Sequence, residues 1–395
     1  MKCDWKEKRL ADIADFNPKE SIEKGTIAKK IPMDVIRPFC RDIPEFVMEP
    51  FNGGSKFRNG DTIMARITPC LENGKISKVN ILKDGEVGFG STEYIVIRAR
   101  KDIADSDFLY YLVCSSLVRE PAIKSMVGSS GRQRVQTDVV KNIVVKVPSL
   151  ECQKKIGGLL CSIDNKIALN NKINNNLEEQ LKALFIKMFA TGIDSLIDSD
   201  TCLNDLVVSV DNRGKTPPLA VEPTDYPIID VRALSGTSRI IDYNYCSKYV
   251  SQDIYETWFR NGHPQPYDIL ISTVGSLAET KVFLGDVGCI AQNVVGLRSK
   301  GISPLYLYQY LNYIKHDLAA YNIGSVQPSI KVTHILKHLI YIPSTEDINI
   351  FDSIARSITD QIFLNCQENH RLTILRDSLL SKLMSGELDV FSIDL

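Results

Sequence analysis

Between Glu151 and Phe189 apolar residues recur at spacings that alternate three and four: Ile156, Leu160, Ile163, Ile167, Leu177, Leu181, Leu184 and Met188. That spacing predicts one face of a long helix packed along a partner helix. Two positions in the middle of this seam are polar, Asn170 and Asn174. The same pattern returns 195 residues on, where Phe351, Ala355, Ile358, Ile362, Leu372, Leu379 and Leu383 form a second seam. Asn365 and Asn369 lie at its centre, and Arg376 is its one charged position. Asparagines that satisfy one another in a seam fix register at some expense of stability. Aligned midpoints bring Asn170 and Asn174 to Asn365 and Asn369 in either direction. The domain-sized segment Ala190 to Pro343 favours an antiparallel pair, because it can carry the chain back to the start of the partner. Each helix, of about 39 residues, is roughly 58 Å long at 1.5 Å per residue.

The repeat extends beyond the helices. RLADIADFNPK (9–19) aligns with CLNDLVVSVDNRGK (202–215), with Leu10 and Ile13 matching Leu203 and Leu206. Strands are expected at Ile31–Val35 and Pro227–Val231. They are followed by polar turns that end in Asp61 and Asp268 and run into apolar strands. STEYIVIRA (91–99) and AQNVVGLRS (291–299) read as a further strand, and DSDFLYYLVCSS (105–116) and PLYLYQYLNYIK (304–315) as a helix. GSSGRQRVQ (128–136) and GSVQPSIK (324–331) are glycine–serine loops carrying glutamine. KNIVVKVP (141–148) and KHLIYIP (337–343) read as closing strands before each long helix. One unit of about 195 residues is used twice. The fold class is α+β: two tandem domains of short strands and one or two helices, each followed by a long helix, with pseudo-twofold symmetry and the globules at opposite ends of an antiparallel spacer. The domains are 1–150, the helix 151–190, 191–343, and the helix 344–390.

Charge is balanced, at 47 basic and 48 acidic residues, so nucleic-acid binding requires local patches. Ten scattered cysteines without CxxC pairs read as reduced thiols rather than a disulfide framework or zinc site. No apolar run approaches the ~18 residues of a membrane span and the N-terminus lacks a signal peptide's apolar core, which places the chain in the cytoplasm. Catalytic signals are absent. No GxxxxGK[ST] loop occurs, Gly88-Phe89-Gly90 lacks a third glycine and a following helix, and Pro217-Pro218 lacks the flanking residues of an amino-methyltransferase motif. His334 and His338 have half a metal spacing and no third ligand, so structural histidines are expected and no metal.

Recognition chemistry remains. After Asp61 and Asp268 come loops with Arg66, Thr68, Asn73 and Lys75 in one copy and Ser272, Thr273, Ser276 and Lys281 in the other. The glycine–serine loops add Ser129, Ser130, Arg132, Gln133 and Arg134, then Ser325, Gln327 and Lys331. Arginine forks suit guanine edges, glutamine amides suit adenine, and Ser, Thr and Lys suit phosphate. One polar glycine loop is ordinarily a turn; both loop types recurring at both repeat positions point to DNA. Base readout is expected from Arg66, Arg132, Gln133 and Arg134 in the first domain and Thr273, Lys281 and Gln327 in the second.

With its tandem layout, GDTIMAR and YDILISTVG segments, GSSGRQRV and GSVQPSI loops and proline-closed strands before long helices, the chain resembles the DNA-specificity subunit of type I restriction–modification systems. The resemblance covers nearly the whole chain. It departs at 131–134, where GRQR stands in place of a Gln-Pro pair such as Gln327-Pro328, and at the insertion HPQP, 263–266. It implies two target-recognition domains, each reading half of a split double-stranded DNA site, with the helices as a ruler. It also implies two docked methyltransferase subunits and a recruited restriction/motor subunit, with S-adenosylmethionine and ATP bound by those partners and no cofactor on this chain. The alternatives are a specificity subunit for a fused methyltransferase–nuclease and a protein-binding scaffold.

Overall fold

The computed structural model describes residues 3–129, 131–195, 200–285 and 287–393. The chain forms two compact units, Met1–Leu169 with Asn369–Leu395, and Asn170–Glu368. Two long helices, the central helix Leu150–Asp194 and the last helix Thr345–Ser385, each contribute to both units.

In the first unit β1 (Ala14–Phe16), β2 (Thr62–Ala65), β3 (Ile76–Lys78) and β4 (Tyr94–Ala99) make an antiparallel sheet in the order β1-β4-β2-β3. Every residue of β2 and the first four of β4 are buried, because the sheet is covered on both faces. Alternate residues go to different cores. Met64, Ile95 and Ile97 pack with Phe108, Leu109 and Leu112 of the helix Ser106–Cys114. Ile63, Tyr94 and Val96 pack with Ile31 and Phe57. Asp105 starts that helix by accepting the Asp107 and Phe108 N–H groups, both at 3.0 Å.

The second unit repeats this sheet with β5 (Val207–Val210), β6 (Ile269–Ser272), β7 (Thr280–Val282) and β8 (Val294–Ser299) in the order β5-β8-β6-β7. Its helix Pro304–Tyr313 is capped by Ser303. The aspartate that ends each polar turn is held by an arginine of the neighbouring long strand. Arg98 meets Asp61 at 2.6 and 2.7 Å, and Arg298 meets Asp268 at 3.1 and 2.8 Å.

Four details depart from the sequence reading. The strand expected at 31–35 lies at Ile27–Ile31, because Pro32 has no N–H to continue the ladder. At 227–231 the Asp230 carboxylate takes the Arg232 N–H at 3.0 Å and turns the chain into the short helix Val231–Leu234. Val144–Pro148 pairs with Trp5–Arg9 over five residues, whereas in the second unit only the bridge Cys202–Leu339 marks the equivalent pairing among the described residues. Cys3 and Cys152 form a disulfide that ties the N-terminal segment to the first turn of the central helix, so the thiols are not all reduced.

Within each unit the long helices run antiparallel. In the first, Ile156, Leu160, Leu383 and Met384 share one core, and Ile163 is buried with them on the same face, 7 % exposed. In the second, Phe185 and Phe189 pack on Phe351 at 5.7 and 5.5 Å, and these phenylalanines take the buried places expected of Leu184 and Met188, which are half-buried. Ile362 is fully buried, and Ile167, Leu177, Ile358 and Leu372 are half-buried. Across the pair Asn174 meets Asn365 and Asn170 meets Glu368, in a polar layer of the second unit that Gln361 joins along its own helix. Asn365 Nδ2 donates to Asn174 Oδ1 at 2.7 Å, Gln361 to Asn365 Oδ1 at 2.9 Å, and Asn170 to Glu368 at 2.7 Å. Asn369, in the first unit, is half-buried, and its carbonyl accepts the Thr373 hydroxyl at 2.8 Å.

Arg376, the charged position of the seam, is buried against Asp164 at 2.9 Å, and Asp164 also accepts the Tyr111 hydroxyl at 2.6 Å. Each globule is pinned to the helices by a buried arginine that the sequence did not single out. Arg41 donates to the Cys161 carbonyl at 3.2 Å and to Asn165 at 2.6 Å. Arg239, with no exposed surface, forks onto Glu178 at 3.1 and 2.7 Å and reaches Thr359 at 2.8 Å. The two are repeat equivalents, since the carbonyl of each accepts an N–H from the last residue of an edge strand, Lys78 of β3 or Val282 of β7.

Replacing Arg376 by alanine leaves Asp164 as a buried unpaired charge and is expected to cost about 3 kcal/mol in denaturant unfolding; a loss below about 1 kcal/mol would show that the pair does not hold the seam. Lys281 supplies a pH test. Its ammonium is buried on the Gly236 and Ser238 carbonyls, and desolvation lowers its pKa to about 8. A lysine depressed from 10.5 destabilises the fold fully below pH 8 and not at all above 10.5. Wild-type stability relative to Lys281→Met is therefore expected to climb between pH 8 and 10.5, and a pH-independent difference in Tm would contradict this placement.

Candidate nucleic-acid interface

The two polar loops of each copy lie far apart in sequence and meet at the same place in the fold. In the first unit the chain leaves β2 at Arg66, whose N–H donates to the Glu93 carbonyl at 2.9 Å. The Arg66 carbonyl accepts the Val135 N–H at 2.8 Å, and the Thr68 N–H donates to the Gln133 carbonyl at 3.0 Å. The Thr68 hydroxyl accepts the Gln133 N–H, also at 3.0 Å. In the second unit the Thr273 N–H donates to the Asn293 carbonyl at 2.8 Å, the Ile330 N–H to the Thr273 carbonyl at 2.8 Å, and the Gly275 N–H to the Pro328 carbonyl at 2.9 Å. The backbone frame is the same, so Arg66, Glu93 and Arg134 correspond to Thr273, Asn293 and Ser329.

The side chains on the two frames differ. In the first, Glu93 lies between two arginines: Arg66 Nε donates to it at 3.0 Å, and Arg134 donates through Nε at 3.0 Å and Nη2 at 2.7 Å. The Arg134 guanidinium holds the Glu93 carboxyl below its ordinary range, and Glu93 raises Arg134 in return. Arg132 is exposed and Gln133 half-buried, and neither side chain makes a hydrogen bond among the described residues. On the second frame Gln327 and Lys331 are exposed with side chains equally unengaged. Gln292, the residue before Asn293, has a left-handed backbone, φ 61°, and donates to the Thr216 hydroxyl at 2.5 Å.

Several expected contact residues are occupied within their own domain. Lys281 points into the interior as described, and Ser272 and Thr273 are fully buried, with hydroxyls donating to the Ser276 and Asn293 carbonyls at 2.5 and 3.2 Å. These three are corrected from binding residues to supports of the loop, because β6 and β7 are buried along their whole length and Thr273, directly after β6, is buried with them. Lys75 turns to the Met33 carbonyl at 2.8 Å, and Thr68 is a loop brace. Ser130 lies outside the described residues. Glu93, Asn293 and Gln292 were missed. Their signal was a polar residue just before an otherwise apolar strand in both copies.

The arrangement offers hydrogen-bonding edges rather than reacting groups. A cavity of about 50 Å³ in the first unit, lined by Phe39, Tyr111, Arg119, Asp164 and Arg376, has room for water but not for a cofactor. The imidazoles of His334 and His338 flank Tyr321, each 5.9 Å from its ring. No group of three or more His, Cys, Asp or Glu able to hold a metal occurs among the described residues. No helix among them is long and apolar enough to cross a membrane.

The profile of the type I restriction modification DNA specificity domain matches twice, over residues 2–179 and 200–372. The specificity subunit of the type I restriction enzyme HindI of Haemophilus influenzae is 26% identical over 98% of this chain and all of that one. The MjaVIII specificity subunit of Methanocaldococcus jannaschii is 22% identical over 78% of this chain and 76% of its own length. The crystal structure of the type I restriction–modification S subunit from M. genitalium has the same fold, with a TM-score of 0.56 at 15% identity over 97% of this chain and 96% of that one. The chain belongs to the type I restriction modification DNA specificity family and carries its domain twice.

Proposed function

We propose that this chain is the non-catalytic, sequence-reading subunit of a type I restriction–modification complex in which each unit contacts one half of a bipartite duplex site. The observation that carries the reading is the shared backbone frame. It brings two distant polar loops together in both units and leaves Arg132, Gln133 and Gln327 unengaged among the described residues. Arginine and glutamine are the side chains suited to guanine and adenine edges in the major groove. With Lys281, Ser272 and Thr273 occupied internally and the Gln292 amide on Thr216, readout in the second half falls to Gln327 and Asn293, with Lys331 on phosphate. Methylation of adenine, ATP-driven motion and cleavage belong to partners: two methyltransferase subunits on the helical region and recruited restriction/motor subunits. S-adenosylmethionine and ATP bind there. The antiparallel helices act as the ruler, and half-sites one helical turn apart, ~34 Å, suit that role.

Replacing Arg132 and Arg134 together by alanine is expected to weaken binding at one half-site by tenfold or more and to leave the base preference of the other intact. Equal loss in both halves would contradict modular reading. Inserting four residues beside Asn174 is expected to change the spacer while preserving both half-site sequences; an unchanged spacer would remove the ruler. Duplex affinity that does not fall with rising salt would favour a protein-binding scaffold instead.

A further inference from the structure

We propose that Glu93 is a positioning residue for base readout in the first recognition domain, holding Arg66 so that its two outer amino groups meet O6 and N7 of a guanine. The inference rests on the DNA-reading function proposed above and names one base class within it. Arg66 gives only Nε to Glu93, at 3.0 Å, and both of its Nη groups lack a hydrogen bond among the described residues. Arg134 gives Nε and Nη2 to the same carboxylate and keeps Nη1 available. Glu93 is itself held by the frame, through its carbonyl on the Arg66 N–H at 2.9 Å and its N–H on the Ser91 hydroxyl at 3.1 Å. A flexible arginine is thereby fixed at its inner end with its two-pronged outer end presented, the end that pairs with guanine. The arginines are only partly exposed, at 35% and 46%, and Glu93 is 21% exposed. As a stability device such a pair adds little.

The carboxylate has a second consequence. It neutralises part of the positive charge that Arg66, Arg132 and Arg134 bring to this edge, and so lowers affinity for phosphate of any sequence. Discrimination is gained from both effects: a fixed fork for the correct base and less attraction to every wrong site. The second frame carries Thr273, Asn293 and Ser329 at the equivalent positions and has no such clamp.

The test uses the specificity chain assembled with its methyltransferase subunits, on a duplex library randomised in one half-site at a time and on an unrelated duplex at several salt concentrations. Glu93→Gln is expected to lower guanine preference at one position of one half-site by roughly tenfold, to leave the other half-site unchanged, and to tighten binding to the unrelated duplex. The salt dependence should steepen by about 0.9 in log–log slope for each further phosphate engaged. Glu93→Asp keeps the charge but shortens the reach, so it should lose the preference without tightening unrelated binding. Arg66→Lys should lose the same guanine preference. The proposal is overturned if Glu93→Gln and Glu93→Asp both retain wild-type preference at every position. A wild-type assembly with no base preference in either half-site would instead overturn the DNA-reading function, and this inference with it.

Discussion

Two long antiparallel helices with apolar seams can slide past each other by a turn at small loss, since leucine and isoleucine are satisfied by almost any apolar neighbour. Here the register is set by polar groups that must find polar partners across the pair. Asn174 meets Asn365, and Asn170 meets Glu368. Asp164 meets Arg376. A slip would leave buried amides and charges unpaired, at a cost of several kcal/mol for the ion pair alone. Both globules then depend on the same helices, through Arg41 on Cys161 and Asn165 and through Arg239 on Glu178 and Thr359. In the second unit one guanidinium bridges both helices, so the placement of the globule and the helix register are a single constraint.

The repeat separates scaffold from reader. Strand order, the Asp–Arg brace of the polar turn, the helix caps and the loop-to-loop hydrogen bonds recur in both units. At the positions the frame presents, Arg66, Glu93 and Arg134 stand in one unit and Thr273, Asn293 and Ser329 in the other. Backbone hydrogen bonds hold the frame, so side chains can differ there without disturbing it. The proposed reading of two different half-sites requires that separation.

Much of this was legible in the sequence because it is periodic or repeated. The seams at Ile156–Met188 and Phe351–Leu383 declared the helices, and their central asparagines declared the polar layer. The same order of features in both copies pairs the loops after Asp61 and Asp268 and the two glycine–serine loops. What escaped depends on direction rather than spacing. Lys281 and Arg239 look like surface cations in a polar stretch, yet one turns inward to two carbonyls and the other to a glutamate on a helix 61 residues away. Ser272 and Thr273 sit at a strand end, and alternation does not say whether that end is covered. Glu93 is an acidic residue, which argues against DNA when read alone, and its meaning appears only with the arginines on either side.

The central claim, that this chain directs modification to a split sequence, is tested most directly by mapping base modification across the genome in cells with and without the gene. The account predicts a two-part motif, with a modified adenine in each half and a fixed spacer, that is present with the gene and lost on its deletion. A genome whose modified motifs are identical in both strains, while the chain and its methyltransferase partner are produced, would contradict it.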